Sequence, residues 1–354
     1  MQTFRDLDRH LGLVPQELLL QLTTIERAKG RQELYRRQSP QVLEALLRVA
    51  RVQSVEASNA IENITAPAAR IKELVEEKTA PQNRSEAEIA GYRAVLDLIQ
   101  LSAADIPFKP SVVEQLHRDL HQFLGETGSA GRWKRLDNVV EEELADGTKR
   151  IRFRPVSASA TPEAMEELHR LFNTATAGGR FHHLLLTGAY ALDFLVIHPF
   201  TGGNGRMSRL LTLLLLCQGD YEVGRFVSIE KLMEDSKDGY YEALGASTAG
   251  WHEGEHNLLP WLSYFLGVIT RASVLFEERV GAVARGKGAK ADAIKTFIRM
   301  RASDRFTVAD VRAAVPTAGD HYIRQILREL KNEGVLDQPT RGPNASWRRM
   351  HQAF

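Results

Sequence analysis

The sequence predicts a mainly α-helical protein with one β-hairpin near its middle and a small C-terminal domain of three helices closed by a second hairpin. Three observations predict it. Apolar residues recur at helical spacing through most of the first 280 residues. Before the C-terminal region, β-favouring runs flanking a turn pair occur only at 138–153. A polar, glycine-bearing stretch, Arg285-Gly286-Lys287-Gly288-Ala289-Lys290, then divides the chain.

Composition narrows the classes of function. The 354 residues carry 46 Lys+Arg and 45 Asp+Glu, a net charge of +1, so the whole chain makes no case for nucleic acid or membrane. The balance is uneven: from Arg285 onward there are 14 basic and 7 acidic residues, net +7, against −6 before it. The single cysteine, Cys217, sits in an apolar run, excludes an internal disulfide framework and reads as an inert core thiol. The first 30 residues lack a signal-peptide pattern, and the uncharged apolar stretch Leu210–Gly219 is too short for a bilayer. A soluble cytoplasmic protein without membrane contact is the expectation.

Taken in order, residues 1–50 read as helices, and 52–64 continue the pattern until Thr65-Ala66-Pro67 breaks it. Helices follow at 68–77, 85–101 and 112–124. Asn138-Val139-Val140 and Arg150-Ile151-Arg152-Phe153 flank Asp146-Gly147 as a hairpin. Thr161-Pro162-Glu163 opens a helix over 163–174, with Thr161 as cap and Pro162 in its first turn. Apolar helices are predicted at 181–196 and from about 204 to 217, then at 227–235, 239–244 and 258–278. After the linker come helices at 291–301, 307–314 and 319–333 and strands at 334–336 and 345–348, around the turn-rich Thr340-Arg341-Gly342-Pro343-Asn344. That order reads as a winged helix with Tyr322, Arg324, Gln325 and Arg328 on its third helix. DNA or a protein partner would suit it. The domains are therefore an N-terminal helical region 1–105, a central domain 106–282, a linker 283–290 and a winged helix 291–354.

The candidate site is Ile197-His198-Pro199-Phe200-Thr201-Gly202-Gly203-Asn204-Gly205-Arg206-Met207-Ser208-Arg209, a glycine-rich insert between two apolar helices. Glycines let a ligand approach the main chain, and the unpaired N–H groups of the helix beginning at Asn204 point into the same turn. This makes a phosphate cradle. Arg206 and Arg209, at i,i+3 on one helical face, can hold further phosphate oxygens. His198 stands just before it as a general base.

This stretch resembles the Fic family signature, HPF-x-x-GNGR-x-x-R, at every fixed position. Ser58-Asn59-Ala60-Ile61-Glu62-Asn63 resembles the family's second signature, [S/T]-x-x-x-E-[G/N], and lies upstream as in its N-terminally inhibited class. The resemblance covers roughly residues 50–280 and implies a Fic-type helical core with a β-hairpin flap. The implied activity is that of a protein adenylyltransferase, moving AMP from ATP to a protein hydroxyl. His198 would be the base, Gly203, Asn204 and Gly205 the anion hole, and Arg206 and Arg209 the holders of the β- and γ-phosphates. Phe200 would anchor the loop, and Tyr240 and Tyr241 would flank the nucleotide, core or surface packing being their other use. Glu62, with Ser58 four residues before it, would pair with Arg209 and inhibit, and the hairpin at 138–153 would hold the target by strand addition. A surface hairpin without a partner is the other reading of those residues.

One position departs from the family pattern. Gly202 replaces the usual Asp or Glu that helps hold Mg²⁺, so metal would rest on phosphate oxygens, water and Asn204, and reduced activity is one expectation. No metal-ligand set is predicted. The alternative reading is a catalytically weak or inactive, nucleotide-sensing DNA-binding regulator. Expected partners are ATP, a protein target that includes the chain itself as a candidate, and DNA through the winged helix; a homodimer is compatible. His252-Glu253-Gly254-Glu255-His256 matches H-E-x-x-H, but Gly254, Asn257 and Pro260 argue for a loop rather than a zinc-binding helix. Residues 281–287 mimic a P-loop without the following Ser or Thr, and 117–120 mimic a kinase loop without its context.

Overall fold

The computed structural model describes the chain except residues 39, 126–127, 144–147, 286–288, 301, 303, 317, 339, 341–345 and 351–354. The described residues form two compact units, one of Met1–Gln32 with Glu44–Phe276 and one of Glu33–Leu43 with Glu277–Phe354. In chain order the helices are α1 Gln2–Arg5, α2 Leu7–Leu11, α3 Gln16–Gln38, α4 Pro40–Ile61, α5 Ala68–Lys72, α6 Arg84–Ser102 and α7 Pro110–Leu120. After strands β1 Val140–Glu143 and β2 Lys149–Phe153 come α8 Thr161–Gly178, α9 His183–Ile197, α10 Asn204–Gln218, α11 Val223–Phe226, α12 Ile229–Asp235, α13 Lys237–Thr248 and α14 Leu259–Arg285. The remainder is α15 Ala289–Met300, β3 Arg305–Thr307, α16 Val308–Ala314, α17 Asp320–Asn332, β4 Leu336–Asp337 and β5 Ser346–Arg349.

The centre of the first unit is the α9–α10 pair. Their runs are apolar on nearly every side, so both helices bury all round: Leu184, Leu192, Phe194 and Ile197 on α9, and Leu210, Leu211, Leu214 and Leu216 on α10, have no more than trace exposure. Gly188 lets α14 approach α9, because a Cβ there would meet Leu262 at 2.7 Å, and Trp261 Nε1–H donates to the Gly188 carbonyl at 2.7 Å. Within α14, Leu259–Gly281 is long and apolar enough to cross a membrane, yet Trp261, Leu262, Phe265, Leu266 and Ile269 are buried in this core. The helices of residues 44–105 belong to the same unit, with α6 packed against α10.

Strands β1 and β2 pair antiparallel, from Val140 opposite Phe153 to Glu143 opposite Lys149, with a register irregularity after Val140. The predicted turn pair Asp146-Gly147 lies outside the described residues.

The second unit has its own core, including Ile294, Ile298, Phe306, Val311, Ile323, Leu327 and Trp347. Its sheet has the order β3–β5–β4, antiparallel throughout. Strand β3 is an addition to the sequence reading: Arg305–Thr307 is too short to show a period and becomes a strand by pairing with β5. The linker also differs. Helix α14 continues to Arg285 and α15 starts at Ala289, because Ala, Lys and Arg favour helix; residues 286–288 lie outside the described set. Most of the predicted turn, Arg341 to Asn344, does so as well.

Candidate active site

Helix α9 ends at His198, whose backbone is left-handed at φ 50, ψ 60, with its N–H donating to Phe194 O at 2.9 Å. For a residue with a Cβ this conformation costs on the order of 1–3 kcal/mol and persists only where the surroundings over-determine it. The determinants are visible. Phe200 is fully buried and its ring stacks on His117, with centroids 3.7 Å apart and planes 3° from parallel. Phe200 N–H donates to Asn204 Oδ1 at 2.9 Å, and Asn204 Nδ2–H donates back to Phe200 O at 2.8 Å, closing the loop on itself. Gly203, at φ 77, then turns the chain into α10.

His117 supports the far side of the loop. Its Nδ1 accepts from Gly131 N–H at 3.0 Å, so the proton is on Nε2, which donates to Gly202 O at 3.0 Å. Burial pushes its pKa down to about 3, and it is a neutral strut. His198 is neutral as well, since burial lowers its pKa to about 4. Its Nδ1–H donates to Leu195 O at 3.3 Å, which leaves the Nε2 lone pair available to accept a proton.

The two arginines of α10 are buried, Arg209 against Ser58 of α4 and Glu62 just beyond it, and Arg206 against Glu88 of α6 and Asn59 of α4. Arg209 Nε donates to Ser58 Oγ at 2.8 Å, and its Nη2 donates to Ser58 O at 2.9 Å and to Glu62 Oε1 at 2.8 Å. Burial favours the neutral form of Glu62, but the Arg209 guanidinium outweighs it and holds the carboxyl below its ordinary range. Burial likewise opposes the charge on Arg209, and Glu62 more than restores it. Gly205 makes this contact possible, because a Cβ there would lie 2.1 Å from Glu62 Oε1. The carboxylate thus rests against the first turn of α10, where an anion is favoured. Arg206 pairs with Glu88 Oε2 of α6 at 2.8 Å and reaches Asn59 Oδ1 at 3.4 Å, while its Nε has no hydrogen-bond partner.

The tyrosines of α13 divide. Tyr240 is buried against Tyr241, Trp261 and Tyr264, at ring centroids of 5.1, 5.8 and 5.9 Å, and packs the core. Tyr241 is half-buried and carries the Arg152 guanidinium of β2 over its ring at 4.7 Å. Both are near enough to the Glu62–Arg209 pair to feel its charges. His252, in the turn between α13 and α14, donates from Nε2 to Arg154 O at 2.8 Å and stacks on Phe153, so it steadies the hairpin's second strand.

A metal finds little purchase. Gly202 supplies no side chain, although a Cβ there would meet nothing within 4 Å. Both polar side-chain atoms of Asn204, the expected protein contact for Mg²⁺, are hydrogen-bonded to the Phe200 backbone. Among the described residues no group of three or more His, Cys, Asp or Glu converges. The donor set does not fit a protein-held Mg²⁺. Residues that the sequence reading missed are Glu88, His117, Asn138 and Lys134. Glu88 offers only a common i,i+4 spacing from Arg84, and His117 entered the sequence reading only within the kinase-like residues 117–120.

Residues 107–216, which contain the His198 loop and both arginines, match the family model described as Fic/DOC family. Over these residues the chain is similar to Fic/DOC domains. Its structure is similar to a Fic family protein from Desulfovibrio desulfuricans G20, at 19% identity and TM-score 0.63, covering 97% of this chain and 98% of that one. It is also similar to a Fic domain containing signaling protein from Bacteroides thetaiotaomicron, at 20% identity and TM-score 0.61, over 73% of this chain and 97% of the other. Fic-1 from C. elegans matches at 18% identity and TM-score 0.56, over 75% and 73% of the two chains. At these identities the likeness establishes the mainly helical, Fic-type fold.

Proposed function

We propose that this Fic/DOC domain transfers AMP from ATP to a protein hydroxyl and that Glu62 holds it in a low-activity state. The family includes protein adenylyltransferases. The observation that carries the reading is a neutral imidazole with a free Nε2 lone pair at the mouth of a glycine-lined helix N-terminus flanked by two buried arginines. The acceptor hydroxyl gives its proton to His198 Nε2 as its oxygen bonds to the α-phosphorus, and the bond from that phosphorus to the bridging oxygen breaks. Pyrophosphate leaves with the electron pair. Arg206, Arg209 and the backbone N–H groups of Gly203, Asn204 and Gly205 stabilise its charge.

Glu62 competes for that machinery. Its carboxylate occupies Arg209 and the space above Gly205, where a terminal phosphate oxygen would sit. ATP bound beside it would be turned away from in-line geometry, and such misplacement costs about a hundredfold in rate. The test is self-labelling by ATP labelled at the α-phosphate. Glu62→Gly should label about a hundredfold faster than wild type, and the Glu62→Gly, His198→Ala double variant should not label. Label on the double variant would refute the base. A Glu62→Gly rate equal to wild type would refute the inhibition.

We further infer that the second unit is a winged helix that contacts DNA. Helix–strand–helix–helix–hairpin order, the β3–β5–β4 sheet and the exposed Arg328 on α17 support this. Arg312, Arg348 and Arg349 are each within 3.3 Å of an aspartate, Asp320, Asp337 and Asp304. Replacing Arg324 and Arg328 of α17 by Ala should reduce the salt slope of DNA binding by about 2. No binding at low salt would leave a protein partner.

A further inference from the structure

We propose that Lys134 is the positioning residue for His198, gripping the main chain on both sides of it. Lys134 N–H donates to Pro199 O at 2.8 Å, and its ammonium Nζ donates to Ile197 O at 3.0 Å. The same Nζ donates to Asn138 Oδ1 at 2.9 Å, and Asn138 Nδ2–H donates to Phe200 O at 3.1 Å. Carbonyls 197, 199 and 200 are thus all taken by one short segment, residues 134–138, and His198 stands between two of them in its left-handed conformation.

Each part of this arrangement has a physical reason. Ile197 O is one of the carbonyls left without a helical partner at the end of α9, where the helix dipole favours a cation. Lys134 is 3% exposed, so its ammonium is withdrawn from water and committed to these acceptors rather than shared with solvent. Burial lowers its pKa to about 8, and Asp137 opposes that, so it remains charged at neutral pH.

A second consequence concerns the imidazole. The groups facing His198 are Lys134, whose charge disfavours the imidazolium, and Glu62 from the end of α4, which favours it. The arginines of α10 are paired with Glu62 and Glu88. Burial is the main reason the imidazole is neutral; Lys134 fixes the main chain on either side of it and adds a smaller push against the imidazolium.

The proposal rests on the transferase reading only for its kinetic readout. The decisive measurement is the NMR titration of the His198 imidazole in histidine-labelled protein, identified by its loss in His198→Ala; it needs no turnover. In Lys134→Met the imidazole pKa should rise. In the Glu62→Gly background, the same substitution should lower kcat by about a hundredfold, with KM for ATP changed by less than about threefold. Lys134→Arg, which keeps a cation and donors, should recover most of kcat and the wild-type titration. Should Lys134→Met fail to fold, Lys134→Gln keeps N–H donors without the charge and should show the same titration shift. An unmoved titration in the uncharged variants overturns the proposal. So does a kcat loss matched by an equal rise in KM, which would mark a general loss of the cradle.

Discussion

The loop from His198 to Arg209 and the ring of side chains around it are built in opposite ways. The loop is local: Phe200 and Asn204 bond each other at i,i+4, Gly203 turns the chain, and the arginines follow one helical turn apart. The ring is assembled from distant chain: Ser58 of α4 and Glu62 just after it, Glu88 of α6, His117 of α7, and Lys134 with Asn138 before β1. The loop carries groups that touch substrate in the proposed reaction. The ring sets which of those groups are charged, occupied or held in line. A compact motif can thus encode chemistry while its control is written elsewhere.

The largest test of the division is Phe200→Ala, which removes the ring on which the two halves meet. Phe200 is fully buried between His117 and Trp133, the latter at 4.9 Å, so its loss should cost about 3–5 kcal/mol in denaturant unfolding. A cost under about 1 kcal/mol would mean that the loop stands without its ring.

Acid separates the halves less sharply but touches both. His198 in the loop and His117 in the ring are held neutral, with pKa values of about 4 and about 3. In the unfolded chain they would take protons near their ordinary value of 6.5, so the unfolded state binds more protons as pH falls. Stability should be full above about pH 6.5 and decline progressively toward pH 3. Thermal midpoints at several pH values between 7.5 and 4 check this; a flat profile would contradict the neutral strut.

The smallest expected effect is local to the loop. Gly202 faces open space, so Gly202→Asp introduces a carboxylate without a clash. In the Glu62→Gly background it should raise Mg²⁺-supported labelling by about tenfold, the order expected when one charged ligand is gained. Unchanged rates across a Mg²⁺ series would show that the loop does not lack that ligand.

Much of the loop was legible in the sequence because its structure is periodic and local. Apolar runs on both sides of Gly202-Gly203 required buried helices, and i,i+3 spacing put Arg206 and Arg209 on one face. The Ser58–Glu62 spacing marked a helical face, and the partner of Glu62 came from family resemblance rather than from any feature of that helix.

By itself the sequence determined the helical elements, the flap strands, the turn at His198 to Gly203 and the face that presents the arginines, since each depends on neighbours within a few residues. Only the tertiary structure decided the rest. Strand β3 exists through its pairing with β5. The Asn204 amide closes the loop on Phe200. Tyr240 went to the core while Tyr241 stayed half-buried. Glu88 and Lys134 look like ordinary charged residues in sequence, and become site residues because packing brings α6 and the segment before β1 against α10 and the end of α9. Periodicity records which face of an element is apolar; which side chain crosses to a given carbonyl or guanidinium is settled by how the elements pack.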